Sequence, residues 1–388
     1  MYGLIYMDHA ATTPVAPEVR RDMSLYFTEY SGNPATLYSL GISCAKAVGE
    51  ARARVAALIG AKPEEVYFTS GGTESDNWAV NGIAYAHERK GNHIITSAIE
   101  HHAVLETCAS MEKRGFKVTY VKVDKYGLVS ADDVKAAITD KTVLISIMHA
   151  NNEVGTIQPI AEIGAIAKER GVLFHTDAVQ TVGKIPVSVE ALKCDMLSVS
   201  AHKFYGPKGV GIMYLRKGVK IEPFMHGGGQ ENNKRAGTHN VPGIVGMGKA
   251  AELAGPTMKA EEDRVRVLRD RLEKGILERI PDVRVNGHPT QRLAGILNIC
   301  VEGVEGEAML LCLDMNRICV SSGSACTTGS LEPSHVLLAM GIPAERAHGS
   351  VRFALGRENT EEQISYVVDT FADIVARLRQ MSPTYKKK

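Results

Sequence analysis

Neither sign of charge predominates in this sequence: 45 Lys and Arg stand against 44 Asp and Glu, a formal net charge of +1. A polyanion or an anionic membrane is held by a basic excess, so neither direct nucleic-acid binding nor membrane binding is expected. Long apolar runs are also missing. No stretch is long enough to span a bilayer and no apolar signal region follows Met1, which predicts a soluble, cytoplasmic protein. The seven cysteines, at 44, 108, 194, 300, 312, 319 and 326, are scattered without a C-x-x-C pair. That spacing argues against a disulfide framework and against zinc or iron–sulfur ligation, and fits reduced thiols in a reducing compartment. Internal repeats, low-complexity linkers, P-loop spacing and a dinucleotide-binding glycine pattern are all absent.

What is present is ordinary globular composition, 44% apolar and 23% charged, in 388 residues. That length is too great for one simple core and predicts two domains. Residues 1–40 are turn-rich and read as loops or arms, and a helix is expected from Ser43 to Ile59. From there to Leu215, short β-rich runs alternate with helical patterns such as Glu74 to Glu88 and Ile160 to Arg170. Near-continuous apolar strands alternating with helices predict a mostly parallel sheet covered on both faces. The last two runs, Met196–Val199 and Ile212–Leu215, are joined only by a Gly/Pro-rich turn region. A parallel crossover needs about a dozen residues, so one antiparallel strand is expected there. After His226-Gly227-Gly228-Gly229 the composition shifts to a helix from Pro242 to Ala254 and a charged amphipathic helix from Met258 to Arg279. The β-runs and helices beyond them predict a smaller α/β domain.

Ligands of such sheets sit beyond the carboxyl ends of the strands, and five strand ends here carry chemistry. Thr69-Ser70-Gly71-Gly72-Thr73-Glu74-Ser75 opens a helix and reads as a phosphate cup or as plain helix capping. Glu100-His101-His102 offers a ring able to stack on a planar cofactor, or a core or surface histidine; no third ligand or H-E-x-x-H supports a metal. His149-Ala150-Asn151-Asn152-Glu153 supplies an amide, and His175-Thr176-Asp177-Ala178-Val179-Gln180 an acid with an amide. A buried carboxylate is costly unless paired with a cation, and a protonated pyridine nitrogen would be one such partner for Asp177. Ser200-Ala201-His202-Lys203 follows the next run, and burial at a strand end eases the deprotonation that a Schiff-base lysine needs. A phosphate-contacting or solvated lysine would fit that one stretch as well. Together the five ends match the complement of a pyridoxal phosphate site.

On these segments, and on Asp8–Thr13, Gly32–Ala35, Gly227–Thr238, Ser321–Val336 and Val351–Arg357, the chain resembles the group I (NifS/IscS-like) cysteine desulfurases. These are class V, fold-type I pyridoxal-phosphate enzymes. The resemblance implies an aspartate aminotransferase-like fold: a large domain (13–257) with a seven-stranded mostly parallel sheet, and a small one (1–12 and 258–388) with a cysteine loop at 321–332. It implies a Schiff base at Lys203, stacking by His101, Asp177 on the pyridine nitrogen and Gln180 on the phenolic oxygen. Asn152 would face the ring region and the bound substrate. Gly72, Thr73, Ser200 and His202 would contact phosphate, with Thr238 supplied by the other subunit of a homodimer. Arg352 and Asn33 would hold the substrate carboxylate.

Cys326 separates this family from other class V enzymes. It lies in Ser321-Ser322-Gly323-Ser324-Ala325-Cys326-Thr327-Thr328-Gly329-Ser330, a stretch whose Ser, Thr and Gly content predicts an exposed loop. A free thiol there is a bystander or a used nucleophile. The implied reaction takes L-cysteine to L-alanine, with Lys203 moving the α-proton and Cys326 accepting the sulfur as a persulfide; a lesser part falls to His101, near that sulfur. The implied acceptors are iron–sulfur scaffold proteins, nitrogenase-related ones among them, or tRNA-thiolation proteins. Two rivals stand beside this reading: a class V aminotransferase or selenocysteine lyase, and a sulfur carrier with a vestigial cofactor site. One departure from the family pattern is Glu231-Asn232-Asn233-Lys234-Arg235, with asparagines where many relatives carry an additional arginine or glycine.

Overall fold

The computed structural model describes residues 3–322, 332–382 and 385. Its strands, in chain order, are β1 (Ile5–Tyr6), β2 (Val66–Thr69), β3 (His93–Ser97), β4 (Lys117–Val121), β5 (Thr142–Ser146) and β6 (Leu173–Asp177). They continue with β7 (Met196–Ser200), β8 (Gly211–Leu215), β9 (Val283–Asn286), β10 (Ile296–Val301), β11 (Ile318–Cys319) and β12 (Ser350–Ala354). Seven of them form one sheet in the order β2-β8-β7-β6-β5-β3-β4. Only β8 runs antiparallel to its neighbours. Residues 201–210 are too few for a crossover, so the chain turns back beside β7, as its turn chemistry predicts. Gly211 allows this: a Cβ there would stand 2.4 Å from the Val199 carbonyl and 2.7 Å from the Gly71 Cα. Since β2, β3, β5, β6 and β7 all point one way, their carboxyl ends share one edge of the sheet.

The sheet is covered on both faces. Val55, Phe68, Ile145, Phe174, Leu197 and Ile244 belong to the core on one side, and Trp78, Ile83, Ile94, Val104 and Leu144 to that on the other. A separate core gathers Ile5, Met7, Leu272, Leu297, Phe353 and Phe371 around an antiparallel sheet of order β12-β10-β9 and the parallel pair β1–β11. Alternation along β12 sends Val351 and Phe353 into that core and leaves Arg352 facing the other way.

Several elements differ from the sequence expectation, which had no strand at β9. The N-terminal arm contains a helix, Pro17–Ser24, started by a proline in its first turn, where a missing N–H costs nothing. The two helices expected around 242–254 and 258–279 are one, Val241–Arg279, which runs through Pro256. Its first half buries Ile244, Met247 and Ala251 in the sheet core, and its second half buries Leu268, Leu272 and Ile276 in the other. Pro256 lies exposed between them, where water can satisfy the carbonyl that its ring leaves unbonded. No helix among the described residues is long and apolar enough to cross a membrane.

Candidate active site

The shared strand edge opens into a cavity of about 280 Å³ lined by Gly72, Thr73, His101, Asn152, Asp177, Gln180, Ser200, His202, Lys203 and Arg352. The cup forms because Gly71, at φ 152°, turns the chain sharply from β2 into the helix Gly72–Ala86. Gly72 sits close against the segment after β6, where a Cβ would meet Val179 Cγ2 at 2.7 Å. The first-turn N–H groups of that helix lack helical acceptors and favour an anion.

Asp177 ends β6, and its Oδ1 accepts the Val179 N–H at 2.8 Å. Burial raises its carboxyl; the Val179 bond and the Lys203 cation oppose that. Behind it lies Asp76, one helical turn from Gly72 and therefore on the face of the cup. Burial, then repulsion from Asp177, pushes the Asp76 carboxyl well up, and its Oδ1 has no hydrogen-bond partner. Burial also pushes His175 down to about 3, so it sits neutral between Ser146 Oγ (2.8 Å) and Ser198 Oγ (2.9 Å). Glu100 is pushed up to about 8 by burial although Ser97 Oγ donates to it at 2.5 Å.

His101 caps the helix His102–Glu112 by accepting the Ala103 N–H on Nδ1 at 3.1 Å. Burial first, then the Lys203 cation, pushes the ring down to about 4, so at neutral pH it is uncharged with its proton on Nε2. Lys203 Nζ donates to the carbonyls of Ala10 (2.7 Å) and Ala11 (2.8 Å). Gln180 Nε2 donates to the same Ala10 carbonyl at 2.9 Å. His202 is pushed down to about 4, mainly by burial, and its Nδ1 lies 3.1 Å from Thr12 Oγ1. Arg352, buried on β12, donates to the Asn152 carbonyl (2.9 Å) and to Asp8 Oδ1 (2.7 Å), while its Nε is unpartnered.

Two of the described residues expected at the site, Asn33 and Thr238, do not line this cavity. Asn33 is exposed, its Oδ1 closing a turn onto the Ala35 N–H at 3.0 Å. Thr238 is also exposed, beyond the cavity. Cys326 lies outside the described residues. Sequence reasoning missed Asp76 and Glu100, and gave Asp8 no role. Asp76 could have been found from its i+4 spacing to Gly72; Asp8 and Glu100 meet the site only through space.

The arrangement fits pyridoxal phosphate. A helix N-terminus with Ser200 and His202 suits a phosphate, and the flat, neutral His101 suits a ring face. A protonated ring nitrogen would reverse the cost of burying Asp177 and Asp76, whose Oδ1 is otherwise orphaned. Comparison with known proteins agrees. Residues 5–367 match the family described as aminotransferase class-V. The chain is 56% identical over 384 residues to a cysteine desulfurase IscS of Methanosarcina thermophila, covering 99% of this chain and 95% of that one. A solved NifS-like protein superposes with a TM-score of 0.91 at 40% identity, covering 97% of this chain and 100% of that one. SspA, solved in complex with cysteine, superposes with a TM-score of 0.82 at 38% identity, covering 92% and 100%.

Proposed function

The chain belongs to the class-V aminotransferase family, among its pyridoxal-phosphate-dependent cysteine desulfurases, and from this premise we propose that Cys326 takes the sulfur of L-cysteine as a persulfide and passes it to an acceptor protein. The balance is redox-neutral: cysteine and the Cys326 thiol become alanine and Cys326–S–SH. Bound pyridoxal phosphate supplies an aldehyde that captures an amine and a ring that withdraws electrons from the substrate carbon.

The chain's residues do the rest. Lys203 would hold the cofactor, and its free amine would move the substrate's α-proton. Asp177 keeps a proton on the ring nitrogen, Gln180 faces the phenolic oxygen, and Asn152 faces the ring and the substrate. Gly72, Thr73, Ser200 and His202 hold the phosphate, joined by Thr238 of the second subunit in a homodimer. Arg352 holds the substrate carboxylate with its rigid fork, exchanging the Asp8 carboxylate for it; Asn33 joins it. His101 keeps its Nε2 proton available to the substrate sulfur. In this reading residues 13–257 form the cofactor domain, and 1–12 with 258–388 the smaller one.

One observation carries the role of Cys326. Ser321 and Arg352 exchange backbone hydrogen bonds, Ser321 N–H to Arg352 O at 3.2 Å and Arg352 N–H to Ser321 O at 2.6 Å. Cys326 therefore lies five residues from a position paired with the cavity wall, within about 17 Å of chain reach. Acceptors of matching chemistry are iron–sulfur scaffold proteins, nitrogenase-related ones included, or tRNA-thiolation proteins. The free thiols at Cys44, Cys108, Cys194 and Cys300 support a reducing compartment such as the cytoplasm. The test is alanine release from L-cysteine with excess thiol, native protein against Cys326→Ala. Near-complete loss in a variant equally yellow with cofactor is expected; equal release from both would remove Cys326 as nucleophile and point to a lyase.

A further inference from the structure

Lys184 takes no part in the chemistry above, yet it stands directly behind it. It lines a second, smaller cavity of about 60 Å³ that also reaches Lys203 and whose other charged or titratable walls are His9, Tyr205, Glu261 and Glu262. Its Nζ lies 3.1 Å from Gln180 Oε1. Burial, then the cations of Lys203 and Arg352, pushes its ammonium down to about 7, with only Glu261 opposing. A lysine in that setting gains little stability from its charge, and its contact is with a neutral amide.

That contact has a directional consequence. Lys184 Nζ donates to Gln180 Oε1, and in its protonated form it can only donate, so that form holds the Gln180 oxygen towards Lys184. A carbonyl only accepts, so the Gln180 atom facing Ala10 O at 2.9 Å must be the NH2 group. Both ends of the amide therefore require the same orientation. Turning it over would set N–H against N–H on one side and oxygen against oxygen on the other. The NH2 group carries a second hydrogen, and Gln180 also lines the main cavity.

We propose that Lys184 is a positioning residue, which locks the Gln180 amide with its NH2 edge towards the cofactor cavity and so keeps a donor on the phenolic oxygen of bound pyridoxal phosphate. The proposal rests on the functional reading above. A donor and a nearby cation both favour the phenolate, and so weaken the hold of the adjoining Lys203-linked nitrogen on its proton.

The test is the absorbance of the bound cofactor against pH. In Lys184→Met the transition is expected to move up by roughly one pH unit, and in Lys184→Arg, which still only donates, to stay near the native value. In a Gln180→Ala background the Lys184→Met shift should fall to less than half. A native-like titration of Lys184→Met would overturn the proposal, as would an undiminished shift without Gln180. Should Lys184→Met fail to fold, Lys184→Gln, whose own amide can present either edge, carries the same expectation and the same refutation. A native protein that takes up no cofactor would instead overturn the functional reading itself, and the proposal with it.

Discussion

At Glu231 a single carboxylate gathers three donor groups, two of them from distant parts of the chain. Arg52 reaches it with both terminal nitrogens, at 2.7 and 2.6 Å, His239 Nε2 lies at 2.6 Å, and the Phe68 N–H donates at 2.8 Å. Burial pushes the carboxyl up, but the Arg52 and His239 bonds outweigh it and hold it at about 2. A carboxyl depressed by folding stabilises the protein above its unfolded value, and that stability is lost as pH falls towards the folded value. Between 4.5 and about 2 the loss amounts to about 3 kcal/mol. Glu231→Gln should therefore cost roughly 3 kcal/mol at pH 7, because it removes the buried charge that the half-buried Arg52 guanidinium pairs with. The gap to native should narrow as pH drops below 4.5; urea unfolding at pH 7 and pH 3.5 measures both, and a gap independent of pH would refute the assignment. The same turn explains the asparagines that depart from the family pattern. Glu231, Asn232 and Asn233 have φ of 46°, 54° and 62°, and asparagine tolerates this left-handed region better than most side chains. The Asn-Asn pair was visible in the sequence, but its reason was not, since Arg52 lies 179 residues from Glu231.

Among the elements, the helix Val241–Arg279 presents a clear mismatch between local chemistry and context. Pro256 sits inside it, exposed, with no core contact to offset the bond it removes. Pro256→Ala restores that bond and should raise stability by roughly 1–3 kcal/mol, read as an increase in Tm. A lower Tm would mean that the proline sets a bend on which the packing of both halves depends. The helix also marks where the sequence stopped being legible. A proline flanked by Gly255 and Thr257 reads locally as a break, and only the two cores beneath the helix keep it continuous. The sheet strands were legible for the opposite reason: each is a short run buried along most of its length, so apolar content alone outlines β2, β3, β5, β6, β7 and β8. Lys203, His101, Asp177 and Ser200 could be placed because they terminate or follow such runs. Asp76 and Lys184 lie inside helix and turn patterns that explain them adequately, and their meaning comes from what stands opposite. Asn33 shows the converse, a residue with a family role whose side chain here closes its own turn.

For the whole molecule, the exposure of Thr238 outside the cavity makes assembly and cofactor binding one question. In the proposed homodimer this hydroxyl donates to the phosphate held by the other subunit. Cofactor binding and dimerisation are then linked, and each must strengthen the other by the same factor. A hydrogen bond to a charged group contributes about 1.5–3 kcal/mol, so filling one site should tighten the dimer roughly 10- to 150-fold. Sedimentation of the native protein with and without pyridoxal phosphate should show that tightening, and Thr238→Ala should lose most of it. Thr73→Ala provides the contrast, because Thr73 lines the subunit's own cavity. It should weaken cofactor binding while leaving the remaining linkage in place. Glu231→Gln joins the two scales: it releases the turn that precedes Thr238, so it should reduce the linkage as Thr238→Ala does, even at a pH where the subunit stays folded. If Thr238→Ala dimerises with the native dependence on cofactor, the phosphate is held within one subunit, and Thr238 has no place in the site.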